Sequence, residues 1–314
     1  MQDLPQELKG RDFTRIAHWS PGELKLALDL ADELKAGQKA GEEHRLLPGR
    51  ALGMIFQKPS TRTRISFEVG IAQLGGFGLY LRADDLQLGR GETIKDTATV
   101  LSRYLDGIVI RTFAQEDVDE LAEYADIPVI NGLTDIAHPC QALADAMTIR
   151  ERLGRLSGVR IAYLGDGNNV CASLMTEAAK LGMRFIAAVP EGYDPEEDVV
   201  KTAKRAAVQA GGTVELVRDP RRAAEGAEVL YTDVWTSMGQ EDERERRLAD
   251  LQGFGIDSEL LGLAADDAIV MHCLPAHYGE EITEEVLYGP QSAVWDQAEN
   301  RLHSQKALMA LIIR

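Results

Sequence analysis

The chain has 314 residues, with 34 lysines and arginines against 51 aspartates and glutamates and a formal net charge of -17 at pH 7. This length suits two domains of about 150 residues, each with its own core. The acidic balance disfavours nonspecific binding to nucleic acid or to an anionic membrane, so neither partner is expected.

Cysteine usage and hydropathy indicate the compartment. Cys140, Cys171 and Cys273 are far apart in the chain and suggest no disulfide framework, which favours a reducing environment. Residues 1–5 lack the basic and then apolar pattern of a signal segment, and no apolar run approaches membrane-spanning length. We therefore expect a cytoplasmic protein.

The first helix and strand are followed by a concentrated basic segment. Ser20-Pro21-Gly22-Glu23 is typical of a capping box, and the apolar run 51–56 predicts a buried parallel strand. Residues 58–64, Lys-Pro-Ser-Thr-Arg-Thr-Arg, come next, and helical periodicity then continues to Gly75-Gly76. A helix N-terminus with added guanidinium groups predicts a phosphate clamp. The alternative is a solvated basic turn in which Ser60 or Thr61 caps the helix.

The middle of the chain alternates helices and strands. A polar stretch at 83–92 predicts a loop, and a helix from 94 to about 104 leads into the strand 107–110, with Arg111 at its end. After a further strand, His138 and Gln141 open a long helix and share one of its faces. Together they suit a carbonyl or an amide. Alternatively, His138 only caps or packs.

The second half repeats this alternation, with strands predicted at 159–164, 185–189, 213–217, 229–232 and 268–271. The pattern predicts an α/β fold of two doubly wound parallel-sheet domains, with the active site in the cleft between them. We place the domains at 1–145 and 146–296, linked near the helix 138–153, and expect a C-terminal helix, 297–314, to pack on the first. The polar residues predicted just after strand ends are Arg62, Arg111, His138, Asn169, Asp233 and Cys273.

A glycine turn at 165–170 half-matches a dinucleotide-binding fingerprint, with Glu191 after the next strand as a possible ribose ligand. The third glycine is missing, and Asn168-Asn169 stand where bare backbone should approach a pyrophosphate. A turn that presents Asn169 to a polar ligand is the favoured interpretation.

Two later segments offer further polar groups. Asp233 could take an ammonium, and Ser237 with nearby N–H groups a carboxylate, as a zwitterion requires; an ordinary turn explains the segment equally well. Adjacent His272 and Cys273 have poor spacing for a metal, and His272 should point away from Cys273, which leaves that thiol without an activating base. Arg301, judged locally, is more typical of a surface cation.

Four motifs in order resemble the aspartate/ornithine carbamoyltransferase family over almost the whole chain. S-T-R-T-R at 60–64 and H-P-x-Q at 138–141 are similar to the carbamoyl phosphate signature of the family. S-M-G at 237–239 and H-C-L-P at 272–275 are similar to its ornithine branch. The resemblance implies transfer of a carbamoyl group from carbamoyl phosphate to the δ-amine of L-ornithine, without a metal or another cofactor. Transfer to another amine, such as N-acetylornithine or putrescine, and a NAD-dependent oxidoreductase remain as alternatives.

The resemblance also implies site residues and an assembly. Those for carbamoyl phosphate are Ser60, Thr61, Arg62, Thr63, Gln87, Arg111, His138, Gln141, Cys273, Leu274 and Arg301. Those for ornithine are Asn169, Asp233, Ser237 and Met238. The catalytic group is Arg111, His138, Asp233 and Cys273. The assembly would be a homotrimer or a multiple of trimers, with Gln87 reaching a neighbouring subunit.

Overall fold

The computed structural model describes residues 6–82, 91–237, 239 and 241–313. By spatial proximity the chain divides into two compact units, one of residues 1–147 with 299–314 and the other of residues 148–298. The boundary between residues 147 and 148 falls inside a long helix. Among the described residues, no helix has the length and apolar character that a membrane span requires.

The strands all run parallel to their neighbours. They are β1 (Ala51–Phe56), β2 (Phe77–Arg82), β3 (Gly107–Arg111), β4 (Val129–Leu133), β5 (Arg160–Leu164), β6 (Arg184–Ala188), β7 (Thr213–Val217), β8 (Val229–Thr232) and β9 (Ile269–His272).

The α-helices connect these strands. They are α1 (Pro21–Lys39), α2 (Thr61–Gln73), α3 (Ile94–Leu101), α4 (Gln115–Tyr124), α5 (Pro139–Leu153), α6 (Asn169–Lys180), α7 (Glu197–Ala210), α8 (Pro220–Ala224), α9 (Arg244–Asp250), α10 (Ser258–Leu261), α11 (Glu284–Leu287) and α12 (Val294–Ile312).

Among the residues that the structure describes, each unit has one sheet, with strand order β2-β1-β3-β4 in the first and β7-β6-β5-β8-β9 in the second. The predicted class of two parallel-sheet α/β domains is thereby confirmed. In both sheets the strand order reverses beside the first strand of the unit, between β1 and β3 and between β5 and β8. A crevice opens outside the carboxyl ends of strands at such a switch point, and ligands of α/β proteins bind there.

Strand β2 is absent from the sequence prediction. It lies at the edge of the first sheet, and its side chains Phe77 and Leu79 remain 50% and 43% exposed. A glycine, Gly78, interrupts the apolar run, which weakens the strand signal. Directly before it, Gly75-Gly76 end α2 and are more easily interpreted as the start of a loop.

Side-chain caps fix the helix starts that matter for the site. The capping box at α1 is confirmed, because Ser20 Oγ accepts from Glu23 N–H and the Glu23 carboxylate accepts from Ser20 N–H. At α2, Ser60 Oγ accepts from Thr63 N–H at 3.1 Å. The start of α2 is thus fixed by the hydroxyl-rich segment itself.

Candidate active site

The turn between β1 and α2 carries the first group of predicted residues. Ser60 caps the helix, Thr61 is exposed, Arg62 is half-buried and Thr63 is buried. The first N–H groups of α2 and its macrodipole create positive potential at this point. With Arg62 in the first turn, the local structure suits an anion.

Arg301 joins this turn from the last helix. Its side chain is only 3% exposed, so the local interpretation as a surface cation is wrong. Nη1 donates to Gln141 Oε1 at 2.8 Å, and Nη2 donates to Thr63 Oγ1 at 3.1 Å. Gln141 in turn donates to Asp145 Oδ1 at 2.8 Å. Three predicted residues, 63, 141 and 301, are therefore in direct contact.

His138 lies buried among three arginines. Burial, together with the positive charges of Arg301, Arg111 and Arg62, lowers the pKa of His138 well below its ordinary 6.5. The imidazole is neutral at physiological pH and can donate a hydrogen bond without carrying charge. Arg111 is itself buried at the end of β3. The first unit therefore assembles a neutral donor and three cations near one helix N-terminus.

Lys58 has partners outside this group. Its ammonium forms an ion pair with Asp135 and lies 4.1 Å from the centre of the Phe113 ring. These contacts tie the β1–α2 turn to the segments that follow β3 and β4. Lys58 therefore holds the β1–α2 turn in place through these two contacts.

In the second unit, the predicted residues Asp233 and Cys273 meet. Asp233 directly follows β8 and is buried, and its Oδ1 accepts from Cys273 Sγ at 2.9 Å. Its Oδ2 accepts from Asn168 Nδ2 at 2.8 Å. The sequence analysis singled out Asn169 and missed Asn168. The signal was available, since Asn168 precedes a helical pattern and caps α6 by accepting from the N–H groups of Val170 and Cys171.

The segment after β9 has a distinctive backbone. Leu274 has a φ of 60°, and its N–H donates to His272 Nδ1 at 2.8 Å. The other ring nitrogen of His272 is 3.1 Å from Glu281 Oε1. Both nitrogens of His272 are engaged, so this ring is not an activating base for Cys273.

The geometry corrects one expectation about chelation. The donor atoms of Asp233, His272 and Cys273 all lie within 4.8 Å of one another, although neighbouring side chains on a strand point to opposite faces. Cys273 lies just beyond the end of β9, where strand alternation no longer applies.

The glycine turn after β5 is closed by the chain itself. A Cβ at Gly167 would lie 2.5 Å from Tyr193 O and from Pro195, and one at Gly165 would lie 3.4 Å from Trp235 Nε1. A dinucleotide site needs the backbone open at such positions for the pyrophosphate. This packing disfavours the dinucleotide interpretation.

Two predicted residues, Gln87 and Met238, lie outside the described part of the chain. Ser237, at the end of the described segment after β8, is half-buried. The sequence analysis also missed Ser66 and Gln305, which lie behind Arg301. In the sequence Gln305 stands among the polar residues His303, Ser304 and Lys306, so no local signal distinguishes it.

The fold and its two groups define a class, namely a protein of two parallel-sheet α/β units. One unit has three arginines around a buried histidine, and the other has a buried carboxylate beside a thiol. Residues 11–151 match a family model described as "Aspartate/ornithine carbamoyltransferase, carbamoyl-P binding domain", and residues 157–312 match its "Asp/Orn binding domain". The chain belongs to the aspartate/ornithine carbamoyltransferase family, as its motifs predicted.

Similar proteins extend over nearly the whole chain. A protein of Pyrococcus horikoshii named ornithine carbamoyltransferase is 55% identical over 98% of this chain and 96% of its own length. One of the same name from Symbiobacterium thermophilum is 58% identical over 98% and 99%. The solved structure of ornithine carbamoyltransferase from Pyrococcus furiosus matches with a TM-score of 0.95 at 55% identity, covering 98% of each chain.

Proposed function

We propose that this chain transfers the carbamoyl group of carbamoyl phosphate to the δ-amine of L-ornithine, giving L-citrulline and phosphate. The observation that carries the proposal is the group of half-buried Arg62 and buried Arg111 and Arg301 around a neutral His138 near the N-terminus of α2. A phosphate beside an activated carbonyl needs both anion-binding cations and a neutral hydrogen-bond donor. Family membership supports the same reaction.

The first unit is assigned to carbamoyl phosphate. Arg62 and the N–H groups at the start of α2 neutralise the phosphate, with Ser60 and Thr61 beside them. Arg111, His138 and Thr63 donate to the carbonyl oxygen. Gln87, Gln141 and Arg301 of the first unit are assigned to the same substrate, as are Cys273 and Leu274 of the second unit.

The second unit is assigned to ornithine. Asp233 takes the α-ammonium, and Ser237 with nearby N–H groups takes the carboxylate. Asn169 and Met238 are assigned to the same α-amino and carboxylate end of ornithine. The contact of Cys273 with Asp233 supports a role for the thiol in orienting the amine.

The reaction is a direct displacement at the carbonyl carbon. The neutral δ-nitrogen forms the new C–N bond, negative charge grows on the carbonyl oxygen, and the C–O bond to phosphate then breaks. The nitrogen loses one proton, for which a departing phosphate oxygen is a suitable base. Donors aimed at the oxyanion each typically contribute about 100- to 1,000-fold in rate.

A labelling experiment tests this reaction. Carbamoyl phosphate with ¹³C in its carbonyl group is incubated with the protein and ornithine, and the carbonyl carbon is followed by NMR. We expect its signal to move to the ureido position of citrulline while an equal amount of phosphate is released. Phosphate release without citrulline would contradict carbamoyl transfer.

The rate should rise with pH through the alkaline range. Only the neutral amine attacks, and an alkyl ammonium has an ordinary pKa of about 10.4, so kcat/KM for ornithine should increase by about tenfold per pH unit below that value. Because the pKa of His138 is well below 6.5, this ring stays neutral from pH 6.5 upward. Its titration therefore does not change kcat/KM in that range. A profile that is flat between pH 7 and 9 would contradict the assignment of the nucleophile.

The arginine-synthesis direction and the location are parts of the same proposal. A protein of Pyrococcus furiosus named "Ornithine carbamoyltransferase, anabolic" is 55% identical to this chain, which supports a role in arginine biosynthesis. The free cysteines support a location in the reducing cytoplasm.

We further propose that the protein is a homotrimer or a multiple of trimers. Ile65 and Val69 on α2, and Phe77 and Leu79 on β2, are apolar side chains of the first unit that remain substantially exposed. Within the described residues, β2 pairs with β1 alone, so its outer edge is available to another chain. Such a surface is typical of an interface between subunits.

A charge placed on this surface should disrupt the assembly. We expect wild type to have three times the chain mass of 34.4 kDa, or a multiple of it, and Val69→Glu to shift toward 34.4 kDa in light scattering after size exclusion. Val208→Glu is the matched control, because Val208 is 81% exposed on α7 of the other unit. A wild-type monomer, or a Val69→Glu protein of unchanged mass, would contradict this interface.

A further inference from the structure

Behind the anion site lies a buried glutamine to which the reaction above assigns no role. Gln305 is one helical turn beyond Arg301 on α12 and is 0% exposed. Its amide lies between the guanidinium of Arg301 and the hydroxyl of Ser66.

The hydrogen-bond donors around this amide decide its orientation. With its oxygen toward Arg301, Gln305 accepts from Nε and Nη2, both at 3.0 Å, and its NH₂ group donates to Ser66 Oγ. The opposite orientation would set the NH₂ group against guanidinium N–H donors, which cannot accept a hydrogen bond. The single amide oxygen therefore accepts two converging hydrogen bonds from one edge of the guanidinium.

These bonds close a ring of four buried residues. Ser66 Oγ, which accepts from Gln305, donates to Thr63 O at 3.2 Å. Thr63 Oγ1 accepts from Arg301 Nη2 at 3.1 Å. The ring links α12 to the first turn of α2, where the anion site lies. Every hydroxyl and amide in it has a consistent donor and acceptor role.

The ring fixes the plane of the guanidinium before any ligand arrives. An arginine side chain that only the ligand orders loses its rotamer entropy on binding, and this loss weakens the affinity. Here Nε and one side of Nη2 are held by Gln305, and Nη1 is directed to Gln141 at 2.8 Å. A neutral amide provides this restraint and leaves the positive charge of Arg301 available to an anion. A glutamate at 305 would neutralise that charge.

We propose that Gln305 is a positioning residue that holds Arg301 in the orientation in which it binds carbamoyl phosphate, with Ser66 anchoring Gln305 to α2. The inference rests on the proposed function, because it requires Arg301 to bind this substrate. It concerns preorganisation of the site and adds no contact between Gln305 and substrate.

A double-mutant cycle on the full-length protein tests the proposal. Wild type, Gln305→Leu, Arg301→Ala and the double variant are compared by titration calorimetry with inorganic phosphate and by the KM for carbamoyl phosphate. We expect Gln305→Leu to weaken phosphate binding and raise that KM about tenfold, with the KM for ornithine within twofold of wild type. In the Arg301→Ala background, the same change should add less than twofold, because the residue that it positions is gone.

Two further variants control for a merely structural effect. Gln38→Leu removes a half-buried glutamine of the same unit that binds Lys306 instead, and it should leave both constants unchanged. Ser66→Ala removes the hydroxyl that binds Gln305 and does not place a larger side chain in the core. We expect it to raise the KM for carbamoyl phosphate two- to threefold. If Gln305→Leu fails to fold, the cycle is made with Ser66→Ala.

The outcomes distinguish the role of Arg301 in binding phosphate from the role of Gln305 in positioning Arg301. Phosphate binding by Arg301→Ala that equals wild type would overturn the role of Arg301 and the inference with it. Weaker binding by Arg301→Ala together with wild-type binding by Gln305→Leu would overturn the role of Gln305 alone. Equal effects of Gln305→Leu with and without Arg301 would indicate a structural role and would also overturn it.

Discussion

Replacing Arg62 by alanine is expected to lower kcat/KM for carbamoyl phosphate by about 1,000-fold, a loss at the upper end of what one preorganised charge stabiliser contributes. Arg62 stands in the first turn of α2 and is close enough to His138 to lower the pKa of that ring. Its removal takes away both phosphate neutralisation and part of the positive field at the carbonyl. The measurement is the initial rate against carbamoyl phosphate at saturating ornithine.

Arg64→Ala is the matched control for this variant. Arg64 lies two residues further along the same helix, but its side chain is 44% exposed, pairs with Glu68 and stacks on Tyr80 at 3.8 Å. We expect less than a threefold effect. An Arg62→Ala protein that keeps full activity would overturn the anion-site assignment.

The second large effect is expected for Asp233→Asn, which should raise the KM for ornithine at least 100-fold and leave phosphate binding within twofold. Loss of one partner from a buried charge pair typically costs about 3–5 kcal/mol. The amide is also a poor substitute locally, because both carboxylate oxygens of Asp233 accept hydrogen bonds, from Cys273 Sγ and Asn168 Nδ2. An amide can accept on only one side.

Asp198→Asn removes a carboxylate of the same unit whose side chain is 98% exposed, and it should leave ornithine turnover unchanged. Thermal unfolding of both variants separates loss of binding from loss of structure. An unchanged KM for ornithine in a folded Asp233→Asn protein would remove Asp233 from the ammonium site.

The parallel sheets were predictable because strands buried on both faces are short, continuous apolar runs. Residues 107–110 and 161–164 have this pattern, and both lie within strands. The edge strand β2 was missed for the complementary reason. Within the described part of the chain β2 pairs on one side alone, and half of its residues are exposed, so neither burial nor periodicity marks it in the sequence.

Site residues were predictable where they follow a strand, because the carboxyl ends of parallel strands share one edge of a sheet. Asp233 and Cys273 follow β8 and β9 and are in contact. Arg301 was misjudged from its local sequence, since its partners Thr63 and Gln141 are 238 and 160 positions away. A local sequence pattern cannot show contacts between residues so far apart in the chain. Only the motif resemblance assigned Arg301 to the candidate site.

Asn168 and Gln305 show a different limit. Asn168 was passed over for its neighbour because both amides follow the same strand, and the helix start that selects one as the cap is set by backbone geometry. The role of Gln305 could not be predicted from its own sequence position, because it depends on contacts with Ser66 and Arg301 together. Polar residues that the structure buries are therefore worth explaining even when no motif includes them.

The most direct test of the proposed function is a comparison of amines in one assay. Carbamoyl phosphate is offered with L-ornithine, N-acetylornithine, putrescine and aspartate in parallel, and the carbamoylated product and phosphate are quantified together. We predict citrulline and phosphate in equal amounts with ornithine, and no product above background with the other three amines. Turnover of another amine in place of ornithine would contradict the specificity assigned to Asp233 and Ser237, and absence of product with all four would contradict the proposed reaction.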